Sequence, residues 1–251
     1  MKNFRSPVGW LFFACLVAGC PKNESLSGSS TRLPTDTPET TTFEDDTPSL
    51  GPGQSGYFDY YVLSLSWSPQ FCSTRKLPPS DPQCGVGKSF GWIVHGLWPQ
   101  YERGFPESCA TAHTLSEATV TKMLPVMPSP KLIQHEWSKH GTCSGLSSET
   151  YFAAIEAVFS KLVFPEELQT PSQPVQMTLP ELKQRFSDRN PQLGPGSLTV
   201  QCSSKYVREV RICLRKDLSP MPCTGFVRDL CKTPMLEFRP PRALTEAASQ
   251  P

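Results

Sequence analysis

The chain has almost no net charge, with 24 Lys+Arg set against 23 Asp+Glu in 251 residues. No long basic stripe interrupts that balance, which argues against extensive binding along a phosphate backbone. From Tyr57 to Pro240 the count is 19 basic to 16 acidic, a net of +3. A local grip on one or two phosphates needs no more than that. Long apolar runs are missing too: Val8 to Ala18 spans about 11 residues, too short to cross a bilayer. Histidine is scarce, four in all, and three of the four fall in two short blocks. Between residues 21 and 55 large apolar side chains are nearly absent, while Ser, Thr, Pro, Gly and acids abound. Such a stretch cannot bury enough surface to fold and reads as a disordered tether.

The ends of the chain speak of location. Met1-Lys2-Asn3-Phe4-Arg5 is a basic start, and the run after it has the length of a signal-peptide core. The run closes on Leu16-Val17-Ala18-Gly19-Cys20, which resembles a bacterial lipoprotein cleavage box. On that reading residues 1–20 are the leader, Cys20 carries the lipid, and the anchor is the only membrane contact. An ordinary signal peptide is the alternative. Pro21 in place of an inner-membrane retention aspartate favours the outer membrane, facing the periplasm. Residues 241–251 read as a disordered tail.

With Cys15 and Cys20 set aside, eight cysteines remain between residues 56 and 240. In an exported chain these point to disulfides rather than metal ligands, and spacing alone leaves all 105 pairings open. Tyr57–Trp67 and Trp92–Leu97 read as strands, the second feeding His95 into a loop. Ser116–Leu124 and Glu149–Val163 read as helices, the latter with Phe152, Ile155, Phe159 and Leu162 in an apolar stripe. Thr178-Leu179-Pro180-Glu181 is a capping box that opens a helix to about Phe186. Leu198–Cys202 and Tyr206–Leu214 are late strands. Helices in the middle and strands at both ends imply an α+β domain with an antiparallel sheet.

The chemistry sits in Ile93-Val94-His95-Gly96-Leu97-Trp98-Pro99 and His135-Glu136-Trp137-Ser138-Lys139-His140-Gly141-Thr142-Cys143. Two imidazoles near neutral pKa can take one proton and deliver another. On a helix, His135, Glu136, Lys139 and His140 fall at about 0°, 100°, 40° and 140°, so they share one arc. Trp137 faces away, toward a core, and Gly141 is placed for a C-terminal cap. Metalloprotease helices space their two histidines four apart. Here the spacing is five and Lys139 would set a cation beside the metal, so no zinc site is expected. His113, outside both blocks, reads as surface.

The two blocks resemble the paired active-site signatures of the T2 family of secreted acid ribonucleases. The likeness extends to Phe58 through Cys72 and to Gly104-Phe105-Pro106-Glu107-Ser108-Cys109. It implies an α+β fold and four disulfides, Cys72–Cys84, Cys109–Cys143, Cys202–Cys231 and Cys213–Cys223. It also implies an endonuclease for single-stranded RNA that needs no metal or cofactor, with a catalytically weak RNA-binding or interaction module on the same fold as the alternative; nothing in the sequence signals oligomerisation, so a monomer is expected. His140 would act as base and His95 as acid. Lys139 and Glu136 would stabilise the phosphorane, and His135 would bind phosphate. Trp98 and Phe105 match base-stacking positions. Gln100 stands where some members carry an acid that reads adenine, and an amide can satisfy more than one base edge, so low base specificity is expected.

Overall fold

The computed structural model of the chain describes residues 49–241. The leader, the lipidation at Cys20, most of the tether and the tail after residue 241 lie outside the described residues. In chain order the elements are β1 (Ser49–Pro52), β2 (Tyr60–Trp67), α1 (Ser68–Ser73), β3 (Trp92–Gln100), β4 (Phe105–Glu107), α2 (Glu117–Met123) and α3 (Pro130–Lys139). A 3-10 turn at Gly141–Cys143 follows, then α4 (Ser148–Phe159), a second 3-10 turn at Glu166–Leu168, β5 (Val175–Met177), α5 (Leu179–Arg189), β6 (Leu198–Ser203), β7 (Tyr206–Leu214) and β8 (Leu236–Phe238). The class is α+β, as the patterning implied. Among the described residues no helix is long and apolar enough to cross a membrane.

In the main sheet β2 is antiparallel to β3 on one side and β7 on the other, and β7 also pairs with β6 and, at one position, with β8, which β5 joins at the far edge. The β2 sequence, Tyr-Tyr-Val-Leu-Ser-Leu-Ser-Trp, is aromatic and β-branched with almost every residue buried, as expected of a strand covered on both faces. Period two sorts the side chains. Tyr61, Leu63, Leu65 and Trp67 enter the large core under the helices, with Met123, Ile133, Trp137, Phe152 and Ile155. Tyr60 and Val62 face the other way, into a small cluster with Trp98, Cys213 and Val227. That second face carries the chemistry.

Local signals account for most helices. Ser116, Ser129 and Ser147 each cap the helix that follows by accepting an N–H from its first turn. Thr178 and Glu181 form the capping box, and the helix it opens runs on to Arg189. The helix expected to reach Val163 stops at Phe159 instead. Buried Asn190 accepts the Val163 N–H at 2.8 Å and donates to its carbonyl at 2.7 Å, holding that segment extended.

Two further expectations are corrected. The tether was expected to run to residue 55, yet Ser49–Pro52 pairs in parallel with β4, and Ser55 and Gly56 bond to the carbonyls of Thr142 and Cys143. Backbone pairing needs no apolar side chains, so composition gave no sign of it. Gly141 is not a left-handed cap. It is buried where a Cβ would enter the Trp137 indole and lie 3.1 Å from the Tyr151 ring, so close packing explains the glycine.

Four disulfides join Cys72–Cys84, Cys109–Cys143, Cys202–Cys231 and Cys213–Cys223, each worth about 2–4 kcal/mol in domains of this kind. Cys109–Cys143 ties the chain after β4 to the end of α3. The Ser108 N–H also donates to the Lys139 carbonyl at 2.8 Å, which satisfies one of the free carbonyls of that helix end.

Candidate active site

His95 lies in β3, not in a loop. The ladder pairs Ser64 with Gly96 and Leu65 with Val94, skipping His95, so the histidine is the extra residue of a β-bulge. The bulge has a packing cause. Val94 and Leu97 are both fully buried in the large core, yet residues three apart cannot share a face of a regular strand. One added residue resets the alternation and turns His95 and Trp98 together onto the opposite face.

α3 delivers the second block. Its N-cap is Ser129, with Pro130 in the first turn, and Lys139 ends it. His140 follows as the C-cap residue, its N–H donating to the Glu136 carbonyl at 3.0 Å. Trp137 anchors the helix in the core, as the helical arc required. Glu136 is 1% exposed, with Oε2 accepting the Trp98 indole N–H at 2.7 Å and Oε1 lying 3.7 Å from His95 Nε2. Gly96 makes that meeting possible, because a Cβ there would sit inside the Glu136 carboxylate. The Trp98 ring lies between the two imidazoles, with centroids 5.1 Å from His95 and 5.4 Å from His140.

The imidazoles are held differently. The His95 ring is 29% exposed, and its Nδ1 lies 2.9 Å from Glu209 Oε1. The other oxygen of Glu209 accepts from Arg211 Nε at 3.1 Å and Nη2 at 2.9 Å. Burial works against a charged Glu209, but Arg211 and the His95 hydrogen bond hold its carboxyl far below the usual range. An ionised carboxylate only accepts, so Nδ1–H of His95 donates and Nε2 is left for chemistry. Burial alone would depress His95, but the bond and charge of Glu209, with the charge of Glu136, raise its pKa above the ordinary value. His140 is driven the opposite way. It is 6% exposed, and desolvation together with Lys139, His135 and His95 pushes its pKa well below normal. Its Nδ1 has no hydrogen-bond partner among the described residues. One imidazole thus favours the proton and its neighbour releases it.

Around them, Lys139 Nζ is 3.5 Å from Glu107 Oε2 and 5.7 Å from the Phe105 ring centroid. His135 keeps much of its surface exposed, and the partial burial of its ring, with Lys139 and His95, lowers its pKa while Glu107 opposes. Burial lifts Glu136 to about 7 against the pull of His95 and the Trp98 N–H. His113 is exposed, apart from the site. Glu107, Glu209 and Arg211 were not anticipated. Glu209 and Arg211 alternate with Val210 and Ile212 along β7, and that pattern reads equally well as a solvated strand face. Only the burial of both identifies them.

The residues expected to meet a base are less open. Trp98 and Phe105 are each 5% exposed and Gln100 is 1% exposed. Trp98 already holds Glu136 and lies 5.2 Å from the Arg211 guanidinium. Gln100 donates to the Pro99 carbonyl at 3.1 Å, and its buried Oε1 has no hydrogen-bond partner among the described residues. Among the described residues no group of three or more His, Cys, Asp or Glu is placed to hold a metal ion.

Comparison with known proteins bears on this geometry. The Ribonuclease T2 family model matches residues 58–223. A ribonuclease of Aeromonas hydrophila is 38% identical over 169 residues, covering 66% of this chain and 75% of that protein. A probable ribonuclease of Haemophilus influenzae is 33% identical over 187 residues, covering 69% of this chain and 64% of that one. Among solved structures, an RNase-related protein from Calystegia sepium superposes with a TM-score of 0.61 at 21% identity, covering 74% of this chain and 98% of that one. RNase NT, solved in complex with 5′-AMP, gives 0.59 at 24% identity, covering 73% and 99%. These likenesses in structure concern the fold.

Proposed function

The chain belongs to the Ribonuclease T2 family and is on that ground an RNA-cleaving enzyme; from this premise we propose how its residues divide the reaction. RNA carries its own nucleophile, the 2′-hydroxyl beside each phosphodiester. Neutral His140 takes that proton, the oxygen attacks phosphorus, and protonated His95 delivers a proton from Nε2 to the departing 5′-oxygen. The product is a 2′,3′-cyclic phosphate, which water opens to a 3′-phosphate with the two roles reversed. Lys139 stabilises the charge that builds on the phosphorane oxygens, and His135 contacts the phosphate. Glu136 holds the Trp98 indole and faces His95. Glu209 is a positioning residue, fixing the His95 tautomer.

The observation that carries this reading is the opposed displacement of the two imidazoles, His95 backed by Glu209 and His140 desolvated among cations. The protein, incubated in EDTA with a dinucleoside monophosphate or single-stranded RNA, should release cyclic-phosphate ends, while DNA remains intact. EDTA-sensitive cleavage, or products without a cyclic intermediate, would refute the two-histidine route.

We also propose that the enzyme is monomeric, exported and tethered through a lipid on Cys20, reading the leader together with disulfides that suit an oxidising compartment. Labelled palmitate should enter the full chain and not a Cys20→Ser variant, and incorporation in both would remove the anchor.

A further inference from the structure

A cavity of about 460 Å³ opens beside β6 and β7, and four cations line it: Arg208, Arg211, Arg228 and Lys232. None of the described residues lining it is acidic. These cations are scattered over 25 positions of sequence and make no basic run, so only the fold gathers them. The wall that carries Arg228 and Lys232 is fixed in place. Gln201 Nε2 donates to the Arg228 carbonyl at 2.8 Å, the Leu230 N–H donates to the Val200 carbonyl at 3.0 Å, and Cys231 is disulfide-bonded to Cys202 of β6. Asp229, the acid between the two cations, is turned away: it accepts the Val200 N–H at 2.9 Å and pairs with Lys183. A rigid concave site whose neighbouring carboxylate is engaged elsewhere suits an anion.

Its position relates it to the cleft. In the β6–β7 register Gln201 lies opposite Glu209 and Thr199 opposite Arg211, and directly opposite residues share a face. The cavity is therefore on the face of the sheet that carries His95, beyond β2, along β7 and β6. Arg211 belongs to both places, clamping Glu209 behind His95 and lining the cavity. A chain running from the scissile phosphate across β7 would bring a later phosphate to these cations.

We propose that this cavity is a second phosphate subsite, binding a backbone phosphate of the RNA chain removed from the one that is cleaved. The inference rests on the ribonuclease reading above, and its test separates the two. Arg228→Ser/Lys232→Ser removes two exposed cations, neither of which touches the catalytic groups, whereas Arg211 is left intact because it supports Glu209. The full-chain protein and this variant are compared on a dinucleoside monophosphate, which has no second phosphate, and on an octanucleotide, across a salt series. The variant should match the parent on the dinucleoside and fall about tenfold in kcat/KM on the octamer at low salt. Its log–log salt dependence should become shallower by about 1 unit, as when one or two single-strand phosphate contacts are lost. An unchanged octamer rate, or an equal fall on both substrates, overturns the subsite. A pocket for a free anion would instead let inorganic phosphate at constant ionic strength change the dinucleoside rate of the parent and not of the variant, and that outcome also overturns it. A parent inactive on both substrates would sink the ribonuclease reading itself.

Discussion

His95 has a carboxylate behind it and a guanidinium behind that, while His140 is packed among rings and cations with nothing bonded to its Nδ1 among the described residues. Both imidazoles start from the same chemistry, and both lie beside Trp98. Their surroundings alone send one pKa up and the other down. On the proposed reading, role follows from the residues behind each ring. The strand supplies a buried carboxylate held by Arg211, and the helix end supplies desolvation and like charge.

The comparison breaks first if either ring is dispensable. His95→Ala and His140→Ala should each lower cleavage by at least ~10²-fold, because each removes one partner of the proton transfer. Circular dichroism and thermal melting should show the fold intact, since neither side chain belongs to the large core. Near-parental turnover in either variant would leave one histidine without a function.

Glu209→Gln sharpens the comparison. The acid must carry its proton, so activity is lost as pH rises through the raised pKa of His95. The base must be neutral, so activity is lost as pH falls through the depressed pKa of His140. Glutamine removes the Glu209 charge that helps hold His95 up, leaving burial and Arg211 to push it down against the charge of Glu136. The alkaline limb of the kcat/KM profile should move acidward by about 1 unit or more, with the peak lowered roughly tenfold. The acid limb should stay, because Glu209 is not among the groups that shift His140 and His95 is still protonated at the lower pH where His140 titrates. Glutamine breaks the buried ion pair of Glu209 with Arg211, a destabilising change, so Glu209→Gln/Arg211→Met serves as the control and should keep the alkaline shift. A uniform loss of activity with both limbs in place would reduce Glu209 to a structural residue.

This contrast was only half visible in the sequence. The blocks around His95 and His140 declare themselves because unusual residues are crowded into short, ordered stretches, and helical spacing alone places Glu136, Lys139 and His140 on one side of α3. The Thr178–Glu181 cap is likewise a local device with a local signature. His95 is different. Its bulge arises from two apolar neighbours, Val94 and Leu97, competing for one face, which shows only once the register with β2 is known. Glu209 lies 114 positions from His95, and β1 is held by backbone bonds that no side-chain pattern records. Long-range pairing and backbone pairing left the least trace, and the first of these holds His95.

Gln100 offers the smallest effect. It ends β3, two residues after Trp98, at the position where a reader of base identity was expected. Its amide group is instead buried, bonded to the Pro99 carbonyl, with an Oε1 that meets no donor among the described residues. An unpaired buried carbonyl is costly by about 1–3 kcal/mol, and an apolar replacement of similar shape removes that cost. Gln100→Met should therefore leave stability unchanged or slightly higher by thermal melting. The rates on dinucleosides that differ at a single base should stay spread over less than about tenfold, since no exclusive hydrogen bond of ~1–3 kcal/mol is available to rank them. Their order should be the same in parent and variant. If the parent ranks the bases sharply and Gln100→Met flattens the ranking, the cleft opens far enough for Oε1 to accept a base N–H, and Gln100 selects the substrate after all.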